Sequence, residues 1–143
     1  MQASLRIIQI IRFFLLGSIV IYAGLGWRLP SNVDPNPLIF RVITLLSLSM
    51  VIIVFVIRRV RVLPVEQLLA DQPVDVKLLM RWRQGYLVTY VLSEAIALYG
   101  VSLHFLGNPL ARVAPFFLAA FVLILFLRPT LPAREFPADT LRQ

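Results

Sequence analysis

Glu94 is the residue whose type and position most invite chemistry. It lies inside the apolar run 86–106, where it is the sole Asp, Glu, Lys or Arg. A carboxylate is costly in hydrocarbon when charged, so an acid in such a run is by default a functional candidate. It could bind and release a proton, or exchange that proton for a cation. It could equally serve as a hydrogen-bonded anchor that locks its helix to another helix or to a partner subunit. Around it, Tyr86, Tyr90, Ser93, Ala97, Gly100 and His104 recur at spacings of three and four residues, which places all six on one helical stripe. Glu94 borders that stripe, with Tyr90 and Thr89 near enough to offer hydroxyls. Ser93, Ala97 and Gly100 resemble the small-residue surfaces that let membrane helices approach closely. The stripe is therefore expected to face inward. His104 lies roughly 15 Å along the helix from Glu94, too far for direct pairing. It reads as a hydrogen-bonding residue at the outer boundary, because a lone histidine cannot complete a two-histidine haem site.

The other acids lie between apolar runs. Glu66, Asp71 and Asp75 accompany Arg58, Arg59, Arg81 and Arg83, a combination that a lipid-modifying enzyme could use at headgroup level. Their spacing matches no metal or phosphotransfer motif. They are expected to solvate the segment, with Arg58, Arg59, Arg61, Arg81 and Arg83 contacting anionic lipid. Nothing combines a nucleophile, a base and an orienting group. The absence of cysteine excludes disulfide frameworks, thiol redox chemistry and Cys-ligated zinc or iron–sulfur clusters. No catalytic residue, metal or cofactor is expected.

The elements that must position these residues follow from composition. Of 143 residues, 59% are hydrophobic and 15% charged, against roughly 45–50% and 25% in ordinary soluble domains. A bilayer core of about 30 Å takes about 20 helical residues. Four runs meet this need: 7–27, 38–57, 86–106 and 110–127. The first is interrupted by Gln9 and Arg12, the latter expected to reach the headgroups. The second carries Arg41 near one end with Thr44, Ser47 and Ser49. The fourth is short as 113–127 unless it begins at Leu110 with Arg112 reaching outward, and Pro115 is expected in its first turn. Gly17 with Gly24, Ser18 with Tyr22, Thr44 with Ser47, and the pair Ala119 and Ala120 read as helix-packing positions. The turn 28–37, rich in proline and polar residues, predicts that the first two helices are antiparallel neighbours, and 107–109 does the same for the last two. The loop 58–85 is long enough to hold structure: 65–70 is a short helical candidate, and the third helix can start near residue 74. The tail 128–143, with Pro129, Pro132 and Pro137, is expected to be extended. The expectation is one all-α domain over 1–143, an integral membrane bundle of four transmembrane helices.

Basic residues set the orientation. Arg6, Arg12, Arg58, Arg59, Arg61, Lys77, Arg81, Arg83, Arg128, Arg134 and Arg142 fall on one side of the four runs, and Arg28, Arg41 and Arg112 on the other. Both termini and the middle loop are therefore expected to be cytoplasmic, in a multi-pass protein of a cell membrane such as a bacterial inner membrane. This account absorbs the net charge of +7 and leaves no need for a nucleic-acid partner. Trp27 would mark the outer boundary, with Trp82 and Tyr86 at the inner one. A cleaved signal peptide is the alternative for the first run, but 22–27 offers small residues without an A-x-A site.

The run Ser-Glu-Ala-Ile-Ala-Leu-Tyr-Gly at 93–100 resembles the carboxylate helix of the rotary ATPase proteolipid. That resemblance implies a proton- or sodium-carrying role for Glu94. It covers about eight residues, and Gly17, Gly24 and Gly26 do not form the glycine ladder of that family's other helix. Chain length and a lone membrane glutamate are also similar to the small multidrug-resistance transporters, whose glutamate stands in the first helix. Two functions are expected from these residues: a non-catalytic accessory or structural subunit of a larger membrane complex, or a proton- or cation-coupled transporter using Glu94. The partners expected are the lipid bilayer and other membrane subunits or further copies of this chain.

Overall fold

The computed structural model describes residues 2–29, 33–71 and 76–129. The expectations placed on 30–32, on 72–75 and on the tail from 130 onward, Asp75, Arg134 and Arg142 among them, lie outside the described residues. The architecture is all-α: α1 (Gln2–Arg28), α2 (Pro37–Ile57), a π-helical turn (Arg58–Val62), α3 (Leu63–Asp71), α4 (Val76–Phe105) and α5 (Leu110–Phe126). Three stretches, Arg6–Arg28, Pro37–Leu69 and Val76–Phe105, are long and apolar enough to cross a membrane. The fourth long helix, α5, has 17 residues and spans about 26 Å.

Local chemistry explains the boundaries. Asn36 caps α2: its Oδ1 accepts from the backbone N–H groups of Leu38 (2.9 Å) and Ile39 (3.4 Å), with Pro37 following in the first turn. Helix α2 runs into the π turn without a break, and the Leu63 N–H reaches back to the Arg58 carbonyl. Pro64 explains the widened turn, because it has no N–H for the Val60 carbonyl and its ring would crowd that position in an α-helix. Helix α4 ends in a Schellman arrangement, with Asn108 N–H on Leu103 O (3.1 Å) and Gly107 N–H on His104 O (3.0 Å). Gly107 has a φ of +93°, and a Cβ there would collide with the Val33 carbonyl, so glycine lets the two turns at this end touch.

Helix α4 is the hub, packing against α1, α2 and α5. The core includes Ile8, Leu15 and Ile19 of α1, Val54 of α2, Tyr90, Ile96, Ala97 and Leu103 of α4, and Phe116, Ala120 and Ile124 of α5. The turn at 28–37 predicts that α1 and α2 pack on each other; instead α1 packs on α4 and α5, and α2 packs mainly on α4. The reason is that α4 carries small or polar residues on the side that receives α1 and α5, while outward-facing residues of α2 such as Leu38, Leu45, Leu48 and Ile52 remain exposed. At its first turn α2 also reaches α5, where Phe40 meets Phe116 edge-on at 6.3 Å and lies under the Arg112 guanidinium.

Two further sequence expectations change. Helix α5 starts at Leu110, so Pro115 stands in its second turn and leaves the Ala111 carbonyl without an intrahelical donor. Trp82 and Tyr86 do not form an outward aromatic belt: they are 0% and 2% exposed, whereas Trp27 is 79% exposed.

Candidate functional site

Glu94 is half-buried on α4 and faces α1. Its Oε1 lies 2.9 Å from Ser18 Oγ and 3.4 Å from the Tyr22 hydroxyl. Ser18 and Tyr22 are four residues apart and so present their hydroxyls on one side of α1. Among the described residues, the partners of this carboxyl are hydroxyls rather than cations.

The Ser18 hydroxyl also lies 2.8 Å from the Leu15 carbonyl. It has one proton and two acceptors, so with an ionised Glu94 it can donate to the carboxylate or to the carbonyl but not to both. A protonated Glu94 can donate to Ser18 Oγ while Ser18 donates to Leu15, and both contacts are then made.

Tyr90 and Ser93, the residues that the sequence groups with Glu94, have other partners. The Tyr90 hydroxyl donates to the Leu127 carbonyl at 2.8 Å, and Ser93 Oγ bonds back to the Thr89 carbonyl at 2.8 Å. The whole stripe of Tyr86, Tyr90, Ser93, Ala97, Gly100 and His104 is nevertheless buried. Gly100 lies against α5, where a Cβ would sit 3.0 Å from Phe116 Cβ. At Gly17 and Gly24 a Cβ would meet nothing within 4 Å, so neither serves close packing inside the chain.

A second polar group closes the end of the bundle where α5 stops. Arg12, expected to reach outward, is turned into the bundle: its Nε donates to the Ile124 carbonyl (3.1 Å) and its Nη2 to the Leu125 carbonyl (3.2 Å). The last carbonyls of a helix lack intrahelical donors and carry the negative end of its dipole, which suits a guanidinium. Glu66 of α3 also turns inward, where Trp82 Nε1 lies 3.3 Å and the Tyr86 hydroxyl 2.7 Å from its Oε1. The same Tyr86 hydroxyl is 3.0 Å from the Arg128 carbonyl. The side chain of Asp71 lies outside the described residues.

At the opposite end, His104 is 6% exposed, with Nδ1 3.0 Å from the Asn108 carbonyl and Nε2 2.8 Å from the Leu29 carbonyl. A neutral ring carries one N–H and can donate to one of these; a protonated ring donates to both. Of the arginines assigned to lipid, Arg58 and Arg83 are half-buried and Arg59, Arg61 and Arg81 exposed. Arg61 and Arg81 line one cleft beside α4.

The sequence pointed to Glu94 but assigned Ser18 and Tyr22 to packing and Glu66 to solvent. The available signals were the four-residue spacing of two hydroxyls on α1 and the matching spacing of Trp82 and Tyr86 on α4. Neither signal says which carboxyl it serves. Comparison with protein-family models, with curated proteins and with solved structures gives no match.

Proposed function

We propose that this chain is a multi-pass protein of a cell membrane with four spans, cytoplasmic termini and a non-catalytic role as an accessory or structural subunit of a larger membrane complex. The observation that carries this reading is what faces Glu94: hydroxyls of α1 meet it within the bundle, as an anchor between helices requires. Arg12, Tyr90 and His104 are likewise engaged with backbone carbonyls. The outward apolar faces of α1 and α2, including Phe13, Phe14, Val20, Leu45 and Ile52, are available to lipid, to companion subunits or to a second copy. The eleven-to-three division of basic residues supports the orientation.

Purification in native lipid tests the role. A companion recovered in fixed stoichiometry is expected, and a reproducibly solitary monomer would defeat the proposal. Orientation can be tested separately, because the chain has no cysteine of its own. In intact cells a membrane-impermeant thiol reagent should label Asp34→Cys and spare Arg59→Cys; the reverse pattern would invert the topology.

A second reading, proton- or cation-coupled transport, is favoured by one specific observation: Glu94 stands on a helix long and apolar enough to cross a membrane, with two hydroxyls and no cation as its partners among the described residues. Proton flux into liposomes, lost in Glu94→Gln, is expected on that reading. Equal flux in the two proteins would remove Glu94 from any transport mechanism.

A further inference from the structure

We infer that the cleft between the π turn and α4 binds one anionic phospholipid, its phosphate held by Arg61 and Arg81 and an acyl chain lying along Ile57, Val60 and Val88. The cleft has a volume of about 540 Å³ and is lined by Arg61, Arg81, Gln84, Gly85 and aliphatic residues. Sites for small ligands run from about 300 to 1,000 Å³. A pair of cations above apolar walls fits an amphiphile with an anionic head better than a free anion, which would leave the walls uncovered, or a neutral lipid, which would leave the charges unanswered.

Two features make this a built place rather than a stretch of basic surface. The first is how the π turn is seated. At Gly85 a Cβ would lie 2.9 Å from Val62 Cγ2, so the missing side chain lets Val62, 1% exposed, press onto α4. Arg61 is the adjacent residue, and Arg81 stands one turn before Gly85 on α4. The second is that neither Arg61 nor Arg81 has a protein partner among the described residues, unlike Arg12, whose guanidinium is used inside the bundle. Guanidinium groups suit phosphate because their N–H groups can bind two oxygens at once. Both arginines also lie where the apolar helices give way to basic sequence, the level of the headgroups in the proposed orientation.

The inference rests on the membrane reading above and narrows its five lipid-facing arginines to two. The test uses the full chain in a neutral detergent, titrated with phosphatidylglycerol, with phosphatidylcholine of the same chains, or with inorganic phosphate, and read by native mass spectrometry. One phosphatidylglycerol is expected to bind, with phosphatidylcholine and phosphate failing to displace it. Arg61→Gln with Arg81→Gln should weaken binding about thirtyfold. Arg6→Gln with Arg59→Gln, which removes the same charge from exposed positions, should change it less than about threefold. Val88→Trp, a substitution at a partly exposed position, should also weaken binding by filling the apolar part of the cleft. Equal losses in the two double variants would overturn the site in favour of diffuse attraction, and displacement by inorganic phosphate would overturn the lipid assignment. Recovery of the chain from the soluble fraction of cells would instead overturn the membrane reading itself, so the two failures are distinguishable.

Discussion

Glu94 and Glu66 are built into the molecule in parallel ways and surrounded differently. Each carboxyl meets a hydroxyl that also touches a backbone carbonyl: Ser18 stands between Glu94 and Leu15, and Tyr86 between Glu66 and Arg128. Around Glu66 the donors are large, buried rings, with Trp82 and Tyr86 in edge contact at 5.1 Å. Nearby, Arg12 and Tyr90 hold the final carbonyls of α5 and the residue after it. Around Glu94 the donors are one small hydroxyl at 2.9 Å and one phenol at 3.4 Å, although both carboxyls are half-buried. The difference indicates that Glu66 belongs to a rigid joint of several mutually supporting groups, whereas Glu94 makes a two-helix contact that can be remade. A group in the first setting is costly to remove because its neighbours lose partners too; one in the second is close to replaceable.

The contrast can be broken most readily at the joint. Arg12→Gln removes the cation that answers two carbonyls at the end of α5. Hydrogen bonds to charged groups contribute about 1.5–3 kcal/mol, so a loss of about 2–3 kcal/mol is expected. Reversible unfolding in bicelles would measure it, and a loss below about 0.5 kcal/mol would show that the joint does not hold α5. Tyr86→Phe comes next. It keeps the ring in the core while leaving Glu66 and the Arg128 carbonyl without their phenolic partner, an expected cost of about 1–2 kcal/mol in the same assay. Ser18→Ala should cost less, about 0.6 kcal/mol, the average for hydrogen bonds between helices in a membrane. If Ser18→Ala proved costlier than Tyr86→Phe, the ranking of the two carboxyls would be reversed.

The helices were legible because apolar runs of helical length are separated by turns rich in proline, glycine and polar residues, and the buried stripe of α4 was legible because small and polar residues recur at helical spacing. Which helix would face Glu94 was not legible. Periodicity assigns a residue to a side of its own helix and carries no information about the side opposite, so Ser18 and Tyr22 looked like packing. The short turn at 28–37 favours α1 against α2, but packing is decided along whole helix lengths, where α4 provides the better surface. Glu66, Trp82 and Arg12 turn inward against expectation for a related reason. Charged and aromatic residues near span ends satisfy the composition rules of an interface equally well whether they point outward or inward. Only the meeting of α3, α4 and the end of α5 supplies the partners that turn them in.

The smallest effect expected is the one that most sharpens the contrast. Glu94→Gln keeps a side-chain carbonyl where Ser18 and Tyr22 can donate and adds an N–H₂ group of similar size, so stability should change by no more than about 0.5 kcal/mol. Glu94→Leu removes the acceptor altogether and, at a half-buried site, should cost more than Glu94→Gln. Combining Ser18→Ala with each variant separates the two contributions: the leucine cycle should show a coupling of about 0.6 kcal/mol and the glutamine cycle almost none, because glutamine preserves the contact. A loss for Glu94→Gln as large as that for Tyr86→Phe would mean that the acidic group itself, proton included, is structurally required in the middle of the bundle. Glu94 would then be a second rigid joint rather than a remakeable contact, and the distinction between the two carboxyls would fail.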